Sequence, residues 1–235
     1  MIYYESESSD IFEERFIMKI PFTIDQFLGV FEKYNLAVWP AQVFFVILAL
    51  IAIVLAVKKS SLSDKIISLI LSFFWLWIGI VYHLVYFSVI NKAAYIFGIL
   101  YIFQGLIFFY AGIGKAKLSF KFFLDAYGII GILFVLYALL IYPLLGYLWG
   151  HVYPKNPTFG LPCPTTIFTF GILLWTDKIV PKYVLIIPLI WSVIGFGAAL
   201  SLGVKEDFGL LIAGLLGFAL IIIRDRKVLR ATQTR

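Results

Sequence analysis

The chain has 235 residues, of which 63% are hydrophobic and only 14% carry a charge. This balance excludes an ordinary soluble domain and is typical of a multi-pass membrane protein. A single cysteine excludes an intrachain disulfide and the two-cysteine redox chemistry that depends on one. The formal net charge of +6 does not indicate nucleic-acid binding, because the basic residues flank hydrophobic segments, where they orient a chain in a membrane.

The first 20 residues are predicted to be a polar extension, since an acidic stretch stands where a signal peptide needs a basic start and an apolar run. Residues 21–235 are predicted to be a single transmembrane helical domain. It begins with a short amphipathic helix capped by Thr23. Four apolar residues share one face of this helix: Ile24, Phe27, Leu28 and Phe31. Such a helix lies in the membrane interface and serves either as an anchor or as a functional lid.

Seven runs of mostly apolar residues are long enough for a hydrocarbon core of about 30 Å. They lie near residues 36–57, 66–87, 94–113, 122–143, 161–176, 183–203 and 208–223. The fifth run is short, so a re-entrant hairpin at residues 162–175 is the alternative to a crossing. The last two runs carry small residues at a spacing of four, which predicts a tightly packed helical hairpin.

The basic residues orient these runs. If all seven cross the membrane, most of the 19 lysines and arginines fall on one side. They are Lys58, Lys59, Lys65, Lys115, Lys117, Lys121, Lys178, Lys182, Arg224, Arg226, Lys227, Arg230 and Arg235. By the positive-inside rule this side is cytoplasmic. The sequence therefore predicts an all-α, polytopic membrane protein of seven transmembrane helices, with the N-terminus outside and the C-terminus in the cytoplasm.

A short motif at the start of the fifth run is the strongest candidate for a site. It reads Gly160-Leu161-Pro162-Cys163-Pro164-Thr165-Thr166 and places the only cysteine between two prolines. The prolines predict a helix that starts at or just after Pro164 and leaves free amides at its N-terminus. Such a terminus makes a thiol reactive or binds an anion. The alternative is a small buried cysteine without chemistry of its own.

Polar residues are costly inside a bilayer, and here most of them fall in the outer half of the predicted spans. We therefore expect an outward-facing polar pocket formed by the first, second, fourth and fifth runs and by the loop 144–160. The predicted substrate-binding residues are Trp39, Gln42, Tyr82, His83, His151, Cys163, Thr165 and Thr166.

A thiol and two imidazoles on this side predict a metal site as a second possibility. Cys163, His83 and His151 together are a donor set that selects copper or zinc. The spacing of the three residues in the sequence is not typical of a metal motif, so the prediction rests on their shared predicted depth in the membrane. The two histidines are alternatively haem ligands, or they only satisfy neighbouring groups near the headgroups.

Three segments of the sequence carry a family resemblance. They run from Pro21-Phe22-Thr23 to Trp39-Pro40-Ala41-Gln42, from Trp75-Leu76-Trp77 to Tyr82-His83, and from Tyr142-Pro143 to Pro162-Cys163-Pro164-Thr165-Thr166. Together they resemble a family of uncharacterised prokaryotic multi-pass membrane proteins, a domain of unknown function whose members are often labelled permeases by automated transfer. The resemblance covers the chain from about Met18 onward and implies a location in the prokaryotic inner membrane.

These features predict a protein that binds and transports a small solute or a soft metal ion. Phosphate-binding glycine loops, paired catalytic carboxylates and a Ser-His-Asp order are absent from the sequence, which argues against an enzyme. Two alternatives are a redox protein that carries haem or a metal and an accessory subunit of a membrane complex. The predicted partners are the lipid bilayer and the small solute or metal ion, and nucleic acid is not expected. Assembly into a homo-oligomer or a larger membrane complex is an open alternative.

Overall fold

We describe residues 20–233 of a computed structural model of the chain, in which the long elements are all helices. The predicted polar extension lies outside the described residues except for Ile20. The helices are α1 (Ile24–Val38), α2 (Ala41–Val57), α3 (Ser63–Val89), α4 (Ala94–Gly114), α5 (Ala126–Leu148), α6 (Pro162–Leu174), α7 (Tyr183–Leu202) and α8 (Phe208–Gln233).

Five of these helices, α3, α4, α5, α7 and α8, are long and apolar enough to cross a membrane. Helices α1 and α2 together form a sixth candidate that is bent by 83° at Trp39 and Pro40. Large apolar side chains project from the outside of the bundle, for example Leu106, Leu133 and Ile212, each more than half exposed. Such a surface is compatible with lipid contact and unusual for a soluble monomer.

Helix α1 is capped as predicted. Thr23 and Gln26 form a capping box, in which the Gln26 amide donates to Thr23 Oγ1 at 3.3 Å and the Thr23 amide donates to Gln26 Oε1 at 2.9 Å. The inner face of α1 packs on the end of α3, where the Phe31 and Tyr82 rings stack with centroids 6.1 Å apart. Trp77 Nε1 adds a hydrogen bond of 2.9 Å to Tyr34 Oη.

Helix α6 lies at the centre of the bundle, and every residue of it except Cys163 is buried. It begins at Pro162, two residues before the predicted start, with Leu161 in an extended conformation as the N-cap residue. The helix begins earlier because proline fits its first turn, where a backbone donor has no helical partner. Cys163 therefore lies inside the first turn and not ahead of it.

Helix α6 runs antiparallel to α5, with glycines where the two backbones approach. A Cβ atom added to Gly131 of α5 would lie 2.8 Å from the Gly171 carbonyl oxygen of α6. It would also lie 2.3 Å from Nε1 of Trp175, which follows α6 and donates a 3.0 Å hydrogen bond to the Gly128 carbonyl. Neither contact leaves room for a side chain.

The end of α6 meets a network of charged side chains, which we call the charged end. Lys59 Nζ contacts Ser119 Oγ at 2.6 Å and Asp177 Oδ2 at 3.0 Å. Arg224 of α8 donates to the Leu174 carbonyl at 3.1 Å and to Thr176 Oγ1 at 2.8 Å. The bond from Arg224 satisfies the Leu174 carbonyl, one of those that α6 leaves free at its C-terminus.

Gly131→Ala is expected to lower the free energy of unfolding by about 1–3 kcal/mol, because the added methyl group overpacks the contact between α5 and α6. Gly29→Ala in α1 is the matched control, since a Cβ atom there meets nothing within 4 Å. Thermal unfolding of both variants in one detergent measures the difference. Equal midpoints for the two variants would contradict the close approach.

Candidate functional site

A cavity of about 210 Å³ lies where α1, the end of α3, the start of α6 and the end of α7 meet. We call it the aromatic cavity, because eight aromatic rings of the described residues line it. These belong to Phe22, Phe27, Phe31, Tyr82, Phe87, Phe97, Tyr142 and Trp191. The polar groups on its wall are few, and two of them, Cys163 and Asp207, lie together. A mostly apolar cavity with a few convergent polar groups is the usual form of a small-molecule site.

Asp207 forms the polar end of the cavity. It is only 4% exposed, and its Oδ1 accepts a hydrogen bond of 2.6 Å from the Tyr142 hydroxyl. The Cys163 thiol lies beside the same carboxylate and interacts with it. Within residues 20–233, no lysine, arginine or histidine forms a salt bridge with Asp207. Its partners are therefore neutral donors.

The neighbouring Glu206 is buried as well, but it is paired. His151 Nδ1 lies 2.7 Å from Glu206 Oε1, and the Tyr137 hydroxyl donates to the Glu206 backbone carbonyl at 2.7 Å. This pair ties the loop after α5 to the start of α8. The two adjacent acids thus have different environments, because only Glu206 has a basic partner.

The short connection between α7 and α8 places both acids. Helix α7 ends at Gly203, which adopts a left-handed conformation with φ of 72°. One turn of 3₁₀-helix, Lys205–Asp207, follows and leads directly into α8. The sequence signal was an acidic pair between two apolar runs, and the predicted site did not include it.

Asn35 of α1 joins α1 to the loop that precedes α6. Its Nδ2 donates to the carbonyls of Pro154 at 2.7 Å and Asn156 at 2.8 Å, and its Oδ1 accepts from Thr158 Oγ1 at 2.8 Å. Gln42 supports this cluster by donating to the Asn35 carbonyl at 2.9 Å. We call these contacts the Asn35 clamp. Pro157, in the clamped loop, lines the aromatic cavity.

Gly160 makes the turn from this loop into α6. Its φ is 99°, a conformation that favours glycine, and an added Cβ atom would lie 2.2 Å from the Phe45 ring. The turn brings Leu161, Pro162 and Cys163 to the cavity wall. The glycine of the predicted motif therefore serves to position the cysteine.

His83 lies behind the cavity wall in a π-helical part of α3, Ile78–Tyr86. Its ring is fully buried among aromatic side chains, 4.8 Å from Tyr101 and 5.2 Å from Trp191 between centroids. Neither ring nitrogen has a hydrogen-bond partner among residues 20–233. Helical segments of this kind are frequent at functional sites.

The predicted site residues occupy several different places. Tyr82 and Cys163 line the cavity, whereas His83 and His151 do not. Gln42 belongs to the Asn35 clamp, and Trp39 is 60% exposed at the bend between α1 and α2. The two predicted threonines are buried inside the bundle. Thr166 Oγ1 lies 3.3 Å from the Tyr101 hydroxyl, while Thr165 Oγ1 has no partner in the described part of the chain.

The predicted metal ligands do not form one site in this structure. Among the described residues, no group of three or more histidine, cysteine, aspartate or glutamate side chains is placed to hold a metal ion. His151 contacts Glu206, and His83 is enclosed by rings. The physical reason is that shared depth in a membrane does not place side chains on facing surfaces.

Asn35→Ala is expected to lower the free energy of unfolding by about 1–3 kcal/mol, because buried carbonyls of the loop lose their donor. The loop should then be cut faster by trypsin after the exposed Lys155. Asn91→Ala is the control for proteolysis, since that side chain accepts a bond within its own turn, from the Ala93 amide at 3.0 Å. Cleavage of Asn35→Ala at the rate of the control would contradict the clamp.

Comparison with known proteins defines the family. Neither a curated protein nor a solved structure matches the chain significantly. Residues 24–232 match the model of a family of unknown function, DUF6064. This match spans all the helices described above and confirms the predicted membership of an uncharacterised family. The chain therefore belongs to the DUF6064 family of unknown function.

Proposed function

We propose that this protein is a multi-pass protein of the prokaryotic inner membrane that binds a small amphipathic solute in the aromatic cavity and transports it. The observation that carries the proposal is the cavity itself, with ring-lined walls and polar groups at one end. Burial of an apolar body against such walls drives binding, and the polar end orients the solute.

The directions of the helices support seven crossings. Residues near the cavity come from the end of α3, the start of α4, the end of α5, the start of α6 and the end of α7. The charged end joins the opposite ends of the bundle, including the end of α6. Helix α6 spans only about 20 Å, since each of its 13 residues adds about 1.5 Å. Its antiparallel course along α5 nevertheless favours a crossing over a re-entrant hairpin.

The charge distribution supports an orientation with the cavity outside. Lys58, Lys59, Lys115, Lys117 and Lys182 all lie at the opposite end of the bundle from the cavity. By the positive-inside rule, that end faces the cytoplasm. The charged end would then face the cytoplasm and the aromatic cavity would face the outer side, as expected for an outward-facing binding site.

Cys163 provides a natural test of this orientation, because it is the only cysteine and it lines the cavity. In right-side-out vesicles, a membrane-impermeant thiol reagent is expected to label wild-type Cys163 from outside. A variant with Cys163→Ser and Lys182→Cys should be labelled only after permeabilisation. Labelling in the reverse pattern would contradict the proposed orientation.

Filling the cavity should abolish solute binding. Ala198 of α7 lines the cavity, whereas Leu200 lies on the outside of the same helix and is 46% exposed. We expect phenethyl alcohol to slow alkylation of Cys163 by N-ethylmaleimide in the wild type and in Leu200→Phe. In Ala198→Phe the protection should be lost, because the added ring occupies the cavity. Mass spectrometry of the purified protein in nanodiscs measures the alkylation rate.

Failure of phenethyl alcohol, phenethylamine and phenylacetate alike to protect Cys163 would contradict solute binding in the cavity. Uptake of benzyltrimethylammonium into proteoliposomes tests transport separately, because a permanently charged probe crosses lipid poorly. Uptake equal to that of empty liposomes, for a probe that protects Cys163, would restrict the function to binding.

A further inference from the structure

We propose that the solute is an organic cation, a protonated amine or quaternary ammonium group on an apolar body, with Asp207 as its counter-ion. This inference rests on the proposed function, since it names the chemical class of the solute that the aromatic cavity holds. Three features of the cavity carry it: an unpaired carboxylate, walls of aromatic rings and a lining without basic residues.

The first feature is the Asp207 carboxyl group, which has no basic partner among residues 20–233. A buried carboxylate is usually paired with a cation, because removing it from water is costly. Here Tyr142 and Cys163 supply neutral hydrogen-bond donors only, and no basic side chain of residues 20–233 forms a salt bridge with the group. A cationic solute in the cavity would supply the missing opposite charge.

Glu206, the adjacent acid in the same turn, has a different environment from Asp207. Glu206 is fully buried, and its carboxylate lies 2.7 Å from the imidazole of His151. It does not line the cavity. One acid therefore belongs to an internal pair, and the other faces the cavity without such a partner.

The second feature is the wall around the carboxylate. Within the described part of the chain, eight aromatic side chains line the cavity, and Trp191 of α7 is one of them. The faces of aromatic rings attract cations, most strongly for tryptophan. The same rings bury the apolar body of the solute, so one wall serves both parts of an amphipathic cation.

The third feature, a lining without basic residues, argues against an anionic solute. The described residues that line the cavity include no lysine, arginine or histidine. An anionic solute would meet a carboxylate of like charge in an apolar cavity, which is unfavourable. A neutral solute would leave Asp207 without an ionic partner.

Protection of Cys163 from N-ethylmaleimide, compared within each variant with and without solute, tests the inference. Phenethylamine and phenethyl alcohol share the same apolar body and differ in charge. In the wild type we expect the amine to protect at a concentration about tenfold lower than the alcohol, as for one favourable charge interaction. Asp207→Asn should abolish this preference and leave protection by the alcohol. Glu206→Gln is the matched control and should keep the preference.

The outcomes separate the two proposals. Equal protection by amine and alcohol in the wild type, or best protection by phenylacetate, would overturn the cation inference and leave solute binding in place. Absence of protection by all three probes would overturn solute binding itself. If Asp207→Asn unfolds at the wild-type midpoint and still prefers the amine, Asp207 is not the counter-ion.

Discussion

The burial of α6 is the constraint on which the rest of the structure depends. A helix enclosed by protein has no water or lipid headgroup for its polar groups, which therefore favour internal partners. Thr166 and Thr169 donate to carbonyls one turn earlier in α6, at 2.8 Å each, and Trp75 donates to Thr169 at 3.1 Å. At the end of α6, the Leu174 carbonyl accepts a hydrogen bond from Arg224. The start of α6 has no comparable charged network, and it is there that the aromatic cavity lies.

The two ends of α6 therefore have different polar surroundings. At the charged end, oppositely charged groups are paired with one another. At the cavity, Asp207 has neutral donors and an empty space beside it. The hairpin between α7 and α8 creates this difference, because it directs two consecutive acids to opposite sides. Glu206 contacts His151, and Asp207 contacts Tyr142 and Cys163. One buried acid is paired within the fold, and the other lines the aromatic cavity.

Hydropathy and capping rules predicted the helices well, while the site depended on contacts that they do not encode. The Thr23 cap and the apolar runs were readable because their signals are local. The fourth run was predicted to end at Pro143, but α5 continues to Leu148 because this proline follows a π-helical stretch and begins a new α-helical segment. Which side chain faces which was not readable, since the bond between His151 and Glu206 joins residues 55 positions apart.

The Asn35 clamp limits how a solute reaches the cavity. Phe27 and Phe31 of α1 and Pro157 of the loop cover the same cavity, and Asn35 bonds that loop to α1. Separating the loop from α1 would break several buried hydrogen bonds at once. Separating α1 from the end of α3 would mainly part aromatic rings, such as Phe31 from Tyr82 and Phe27 from Phe87, which an amphipathic solute can replace with contacts of its own. The hydrogen bond from Trp77 to Tyr34 joins α3 to α1 in the described part of the chain, so the proposed solute would enter there by breaking fewer hydrogen bonds than between α1 and the loop.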